Sequence, residues 1–224
     1  MKRRSFAVIG LGRFGSAMAT TLNELGHDVL GIDSDPENVR RLGDLIPHVV
    51  ELDATDGRAL RAAGVADVDV AVVSIGADVQ ANLLAVMLVK DLGVKTVVAK
   101  AATALHGRIL EKIGVSRVVF AERDMAIRVA HSLVAPNVID YFELSRDFSI
   151  VELPAPPSFI GKTMRQLELR ARHGLTVIAL MRRGQKTGRE TTPIVPGPDD
   201  SIAAGDLLVL VGGHDAIARI DDLQ

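Results

Sequence analysis

Gly10, Gly12 and Gly15 are spaced as G-x-G-x-x-G, directly after an apolar run at residues 6–10 and directly before a helical pattern at residues 16–25. In that context the loop is a phosphate cradle. Gly10 permits the tight turn, Gly12 lets a phosphate approach the backbone, and Gly15 lets helix and strand pack closely. The free N–H groups at the helix start then face a pyrophosphate or triphosphate. Asp33 completes the pattern by ending the next apolar run, residues 29–32. It lies about 18 residues beyond Gly15, near the spacing of a ribose-binding acid. A carboxylate there accepts from both ribose hydroxyls and repels a 2′-phosphate. The expected ligand is an adenine nucleotide with an unmodified ribose.

The elements that position these residues repeat along the first half. Apolar runs at residues 6–10, 29–32, 49–52, 70–74, 96–99 and 118–120 alternate with helical patterns at 16–25, 36–45, 57–63, 79–92 and 105–113. Strands that are apolar throughout, separated by helices, indicate a doubly wound parallel sheet covered on both faces, a Rossmann-type α/β domain. Gly26, Gly64, Gly93 and Gly114 each follow a helical segment, where a C-terminal glycine is favoured. Ligands bind at the carboxyl ends of such strands. That edge collects Asp53 after the third strand, Ser74, Ile75 and Gly76 after the fourth, Lys100 after the fifth and Glu122 after the sixth.

Each has a plainer reading. Arg13 is either a phosphate contact or a solvated loop cation, and Lys100 is equally open. Asp53 could simply cap a turn before residues 55–63. Glu122 is also a favourably placed acid at a helix start. The helix near Pro36 is better capped by Ser34 or Asp35, which leaves Asp33 for the ligand. The six histidines show no zinc-binding spacing.

Composition excludes several classes. The net charge is -2 and aromatics are 3% of 224 residues, with no Trp, so neither a basic footprint nor stacking platforms for nucleic acid are present. No Cys is present, which removes disulfides, thiolate metal sites and a Cys nucleophile. Mean hydropathy is +0.25, yet charge breaks every apolar run well short of the ~20 residues a transmembrane helix needs. The basic start is followed by too short an apolar run for a signal peptide. A soluble, cytoplasmic protein is expected.

After residue 120 the pattern changes. Residues 122–135 form a broadly apolar helix that needs cover from two directions, either within its own domain or from a partner subunit. Residues 137–144 suggest a second short helix or turn. A strand at 150–153, a polar helix at 163–172, a strand at 175–181, a basic loop at 182–189, a buried strand near 207–212 and a helix at 215–223 make a small α+β domain. The expected division is therefore 1–136, a linker helix region at 137–148, and 149–224.

With both halves in view, the chain resembles the RCK (KTN) family, the Trk/Ktr-type regulatory subunits that gate potassium transport, and most closely its Ktr-like branch. The resemblance rests on residues 7–15 (AVIGLGRFG), 53–55 (DAT), 110–114 (LEKIG), 121–125 (AERDM) and the 198–206 segment (PDD…GD). It implies a homodimer assembling into a ring, commonly an octamer, at the inner face of the cell membrane beneath a membrane-embedded potassium transporter subunit. It further implies that ATP/ADP exchange reshapes the ring, with Arg13 sensing the terminal phosphate across the dimer. The stretch at Asp53 and Ala54 would lie around the adenine. Glu122 would hold Mg²⁺ or Ca²⁺ beside the phosphates, shared between subunits. The C-terminal domain, near Arg170, Arg172 and His173, would be able to bind cyclic di-AMP. The nucleotide-binding set expected from motif and resemblance is Gly10, Gly12, Arg13, Phe14, Gly15, Asp33, Ser34, Asp53, Ala54, Ser74, Ile75, Gly76, Lys100 and Glu122.

An NAD(H)-dependent oxidoreductase or redox sensor is the competing expectation, because the fingerprint and Asp33 do not separate NAD or NADH from ATP. Such enzymes add a catalytic domain with a proton donor and positioning cations. The second domain here is small and offers no base, nucleophile and orienting group in a recognisable set. An empty, vestigial loop is disfavoured because all three glycines and the acid are retained. The expectation is a nucleotide-responsive gating subunit without catalysis.

Overall fold

The computed structural model describes residues 2–134, 138–145, 147–183 and 191–219. They form two compact units, residues 1–123 and 124–224.

In the first unit the strands are β1 (Ser5–Ile9), β2 (Asp28–Asp33), β3 (His48–Glu51), β4 (Val70–Val73), β5 (Thr96–Lys100) and β6 (Arg117–Val119). The alternating helices are α1 (Arg13–Glu24), α2 (Pro36–Gly43), α3 (Gly57–Ala62), α4 (Val79–Asp91) and α5 (Ala104–Ile113). Helix α6 (Ala121–Val134) follows β6 and, after its first turn, belongs to the second unit, so the first unit ends earlier than the expected 136. The sheet order is β3-β2-β1-β4-β5-β6 and every pairing is parallel. The two-residue period of a strand explains why the central strands are apolar throughout. Ala7, Ile9, Ala71 and Val73 enter one core, while Val8, Val70 and Val72 enter the core on the opposite face. The glycines expected after helices, Gly26, Gly64, Gly93 and Gly114, all have φ between 82° and 90°. Because β1 pairs with both β2 and β4, the chain leaves β1 in one direction and returns on its other side. A crevice therefore opens beyond the carboxyl ends of β1 and β4.

The second unit carries an antiparallel sheet, β10-β9-β11-β8-β7, built from β7 (Asp140–Glu143), β8 (Phe148–Pro154), β9 (Thr176–Arg183), β10 (Thr191–Ile194) and β11 (Leu207–Gly213). Its helices are the short α7 (Met164–Leu167), α8 (Leu169–His173) and α9 (His214–Ala218). β8 and β11 bury alternate residues, so one face supplies the core. Pro193 sits on the edge strand β10, where a missing N–H is tolerated.

Three sequence expectations are corrected here. The linker helix region at 137–148 contains strand β7, whose Tyr141 side chain packs into the core beside Val151. The helix at 163–172 is two helices, broken at Glu168, which adopts φ 46° and lets Leu167 and Leu169 both reach the core. The last helix runs only over His214–Ala218, and residues 220–224 lie outside the described residues. Most of the basic loop, residues 184–190, also lies outside them.

Asp206 is 1% exposed and is the main buried charge of this unit. Arg182 donates to it through Nε at 3.1 Å and Nη2 at 2.9 Å, and the Ala203 N–H donates at 2.9 Å. The Arg182 guanidinium holds the Asp206 carboxyl below the usual carboxylate range. Such a group contributes stability above its unfolded pKa, and that contribution is lost as pH falls through its folded pKa. Arg182→Met strands the carboxylate; since Arg182 itself is partly solvated, a loss of about 2 kcal/mol in chemical denaturation is expected. Asp206→Asn should flatten the acid limb of the stability profile below pH 4 relative to wild type (ordinary value 3.8).

Candidate functional site

The crevice at the carboxyl edge of the parallel sheet has a volume of about 940 Å³, within the range of ligand sites. Of the residues expected from sequence, Gly10, Gly12, Arg13, Phe14, Asp33, Ser34, Asp53, Ala54, Ser74, Ile75, Gly76, Lys100 and Glu122 all line it. Gly15 lies behind the lining and has a packing role. A Cβ at Gly15 would fall far inside contact distance of the Gly10 carbonyl oxygen and 2.5 Å from Ser74 Oγ. Gly10 itself has φ 89°, and a Cβ there would lie 2.9 Å from the Ile75 nitrogen. At Gly12 a Cβ would meet nothing within 4 Å, so the space over this residue is open.

Helix α1 begins at this loop without a side-chain cap, whereas α2, α3, α4 and α5 are capped by Asp35, Asp56, Asp78 and Thr103. Its first N–H groups are thus left for solvent or an anion. Asp35, not Asp33, caps α2, as expected. Asp33 instead accepts from the Leu11 N–H at 2.5 Å, the Asp35 N–H at 2.8 Å and Asn38 Nδ2 at 3.3 Å. Arg41 Nη2 donates to the Leu11 carbonyl at 3.1 Å and to Asn38 Oδ1 at 2.8 Å. Both polar backbone groups of Leu11 are therefore held by side chains from the second βα unit.

Across the crevice, Ser74 Oγ donates to the Gly10 carbonyl at 2.5 Å. Lys100 Nζ bonds Glu122 Oε1 at 2.5 Å; the lysine side chain is 13% exposed and the glutamate 74%. Hydrogen bonding from Lys100 lowers the Glu122 pKa, and the Arg13 charge adds a smaller effect. Asp53 accepts from the Thr55 N–H at 2.8 Å and the Thr55 hydroxyl at 2.7 Å, which lower its pKa in that order. The turn-capping role considered for Asp53 is thus present, although α3 proper is capped by Asp56. Among the described residues no group of three His, Cys, Asp or Glu is arranged to hold a metal ion.

Sequence reasoning missed Asn38, Arg41, Thr55, Asn82 and His106. Asn82 is 0% exposed and His106 2%. The Asn82 amide nitrogen donates to the carbonyls of Ile75 at 2.7 Å and Lys100 at 3.3 Å, tying together the ends of β4 and β5. His106 Nδ1 accepts from the Ala102 N–H at 3.2 Å, so Nε2 carries the proton and donates to Asn82 Oδ1 at 3.2 Å. The available signal was an Asn directly before the apolar run 83–89 of α4, where the helix packs on the core.

A Rossmann-type sheet with its glycine-loop crevice, followed by a small antiparallel domain, defines the class of protein. The TrkA-N domain model matches residues 6–121 and the TrkA-C domain model residues 148–224. Ktr system potassium uptake protein C of Bacillus subtilis is 37% identical over 98% of this chain and 96% of its own length. Ktr system potassium uptake protein A of the same organism is 36% identical over 99% and 97%. This chain belongs to the Ktr/Trk potassium uptake family with TrkA-N and TrkA-C domains, as the sequence resemblance implied. The fold also matches the GsuK channel (TM-score 0.70, 22% identity), covering 99% of this chain and 39% of that longer one. The same channel bound to NAD matches with a TM-score of 0.65 at 21% identity, over the same shares of the two chains.

Gly15→Ala is expected to force the loop apart, costing about 3 kcal/mol by overpacking, with a matching drop in the denaturation midpoint of the first unit. Burial lowers the His106 pKa from 6.5. Its neutral form is therefore favoured by folding, and stability present above the unfolded value is lost as pH falls below it. Melting curves between pH 8 and about 5 should show this decline, and His106→Gln, neutral throughout, should remove that component.

Proposed function

We propose that this chain is a non-enzymatic regulatory subunit that gates a membrane potassium transporter in response to an adenine nucleotide bound in the crevice. The observation that carries this reading is the convergence of the uncapped α1 start, Asp33, and the Arg13, Lys100 and Glu122 charges on one crevice in a chain of this family. The crevice has the glycine cradle and an acid placed for a ribose. Relatives named as Ktr potassium uptake proteins support the transport context. The NAD-bound GsuK channel supports a nucleotide as ligand class.

In the finer reading ATP and ADP are the effectors. Gly10, Gly12, Phe14 and the α1 N–H groups hold phosphates, Asp33 and Ser34 the ribose, and Asp53 and Ala54 the base. Ser74, Ile75, Gly76 and Lys100 bound the far side. Arg13 reads the terminal phosphate, in its own or a partner subunit. A gating ligand must differ in affinity between two assembly shapes, and one phosphate supplies that difference. Mg²⁺ or Ca²⁺ at Glu122 would need phosphate, water or partner ligands, because one carboxylate engaged by Lys100 is not a cation site. Homodimers assembling into an octameric ring at the cytoplasmic membrane face complete the proposal, with cyclic di-AMP as a second ligand of the C-terminal unit. Among the described residues, no helix is long and apolar enough to cross a membrane.

Calorimetric titration of nucleotide-free protein with ATP, ADP, NAD and NADH, with and without Mg²⁺, tests the reading. ATP and ADP binding without turnover supports it; selective NAD or NADH binding replaces it with a redox sensor or oxidoreductase. Asp33→Ala is expected to weaken every adenine nucleotide, whereas Arg13→Ala chiefly erases the ATP/ADP difference. Discrimination retained in Arg13→Ala would exclude Arg13 as the phosphate sensor.

A further inference from the structure

We propose that Asn38, oriented by Arg41, is a ribose-recognition residue that acts jointly with Asp33 and makes the crevice selective for ribonucleotides over deoxyribonucleotides. The inference rests on the nucleotide reading above.

A carboxylate has about four acceptor positions. On Asp33, Oδ2 already takes the Leu11 N–H and one Asn38 N–H, and Oδ1 takes the Asp35 N–H. One position on Oδ1 remains. Asp33 can thus accept one ribose hydroxyl, not the two that the sequence pattern suggested. It also cannot donate, so the lone pairs of a hydroxyl buried against it need a donor from elsewhere. Asn38 lines the same crevice and is half-buried.

The orientation of the Asn38 amide is set by its neighbours. Arg41 is a pure donor, so the Asn38 atom 2.8 Å from Nη2 must be the oxygen. The nitrogen is thereby turned toward Asp33. It carries two hydrogens, and among the described residues only Asp33 accepts from it. The second N–H is left for a hydroxyl oxygen beside Asp33. Arg41 is held in turn by the Leu11 carbonyl, so the glycine loop and the ribose reader form one bonded unit. Arg41 is a positioning residue; Asn38 is the one that touches the ligand.

Titration of wild type, Asn38→Leu and Arg41→Met with ATP, 2′-deoxyATP and 3′-deoxyATP tests this as a set of ligand–protein cycles. In wild type at least one deoxy analogue should bind more weakly than ATP. Asn38→Leu should weaken ATP about fivefold, the worth of one hydrogen bond, and leave that analogue unchanged. The ribo-to-deoxy ratio thus shrinks by the same factor. Arg41→Met should shrink the ratio in the same direction by freeing the amide. Equal weakening of all three ligands, or an unchanged ratio, overturns the proposal while sparing nucleotide binding. Wild type that binds none of the three overturns the nucleotide reading and this inference together.

Discussion

The close approach of Gly10, Gly15 and Ser74 is the constraint on which the first unit depends. Gly15 packs its bare Cα against the Gly10 carbonyl, and Ser74 donates to that same carbonyl from the end of β4. The first helix can sit low over β1 only because no Cβ intervenes. The loop is thus pinned between its own helix and the neighbouring strand, and the crevice opens where those two strands part. Asp33 and Arg41 fix the outer side of the same loop through the two backbone groups of Leu11. A loop held from both sides keeps its N–H groups in place, so a bound anion need not order them at its own expense.

The far side of the crevice is organised by a different principle. Lys100 is largely buried and would be costly unpaired, and Glu122 at the start of α6 balances it. These two opposite charges in contact cancel each other until a ligand competes for the lysine. Beneath them Asn82 and His106 hold the ends of β4 and β5 together in a fully bonded, buried network. Such a network rigidifies a site when every member is satisfied. The crevice has one wall built from backbone geometry and another built from charge.

Most of the first unit was legible in the sequence. Central strands buried on both faces must be apolar at every position, and 3.6-residue periodicity marks the intervening helices. The second unit was harder for a physical reason. Its sheet is antiparallel and buried on one face, so a strand such as Asp140–Glu143 buries only Tyr141 between acids and resembles a turn or short helix in isolation. The break at Glu168 was hidden because a left-handed glutamate carries no sequence signal of the kind a glycine does. Packing of Leu167 and Leu169 into one core imposes it.

The sequence by itself determined the parallel fold, the glycine cradle, the acid after the second strand and the family, because these depend on local spacing and on residue types that few other backbones require. Only the tertiary structure decided what each polar side chain does. Asp33 shares its carboxylate with three protein donors, Lys100 meets Glu122 across 22 residues of chain, and Asn82 meets His106 across 24. Hydrogen bonds between residues so far apart follow from which strand ends and helix starts the sheet order brings together. No local pattern encodes that order, because it is settled by burying both faces of the whole sheet at once.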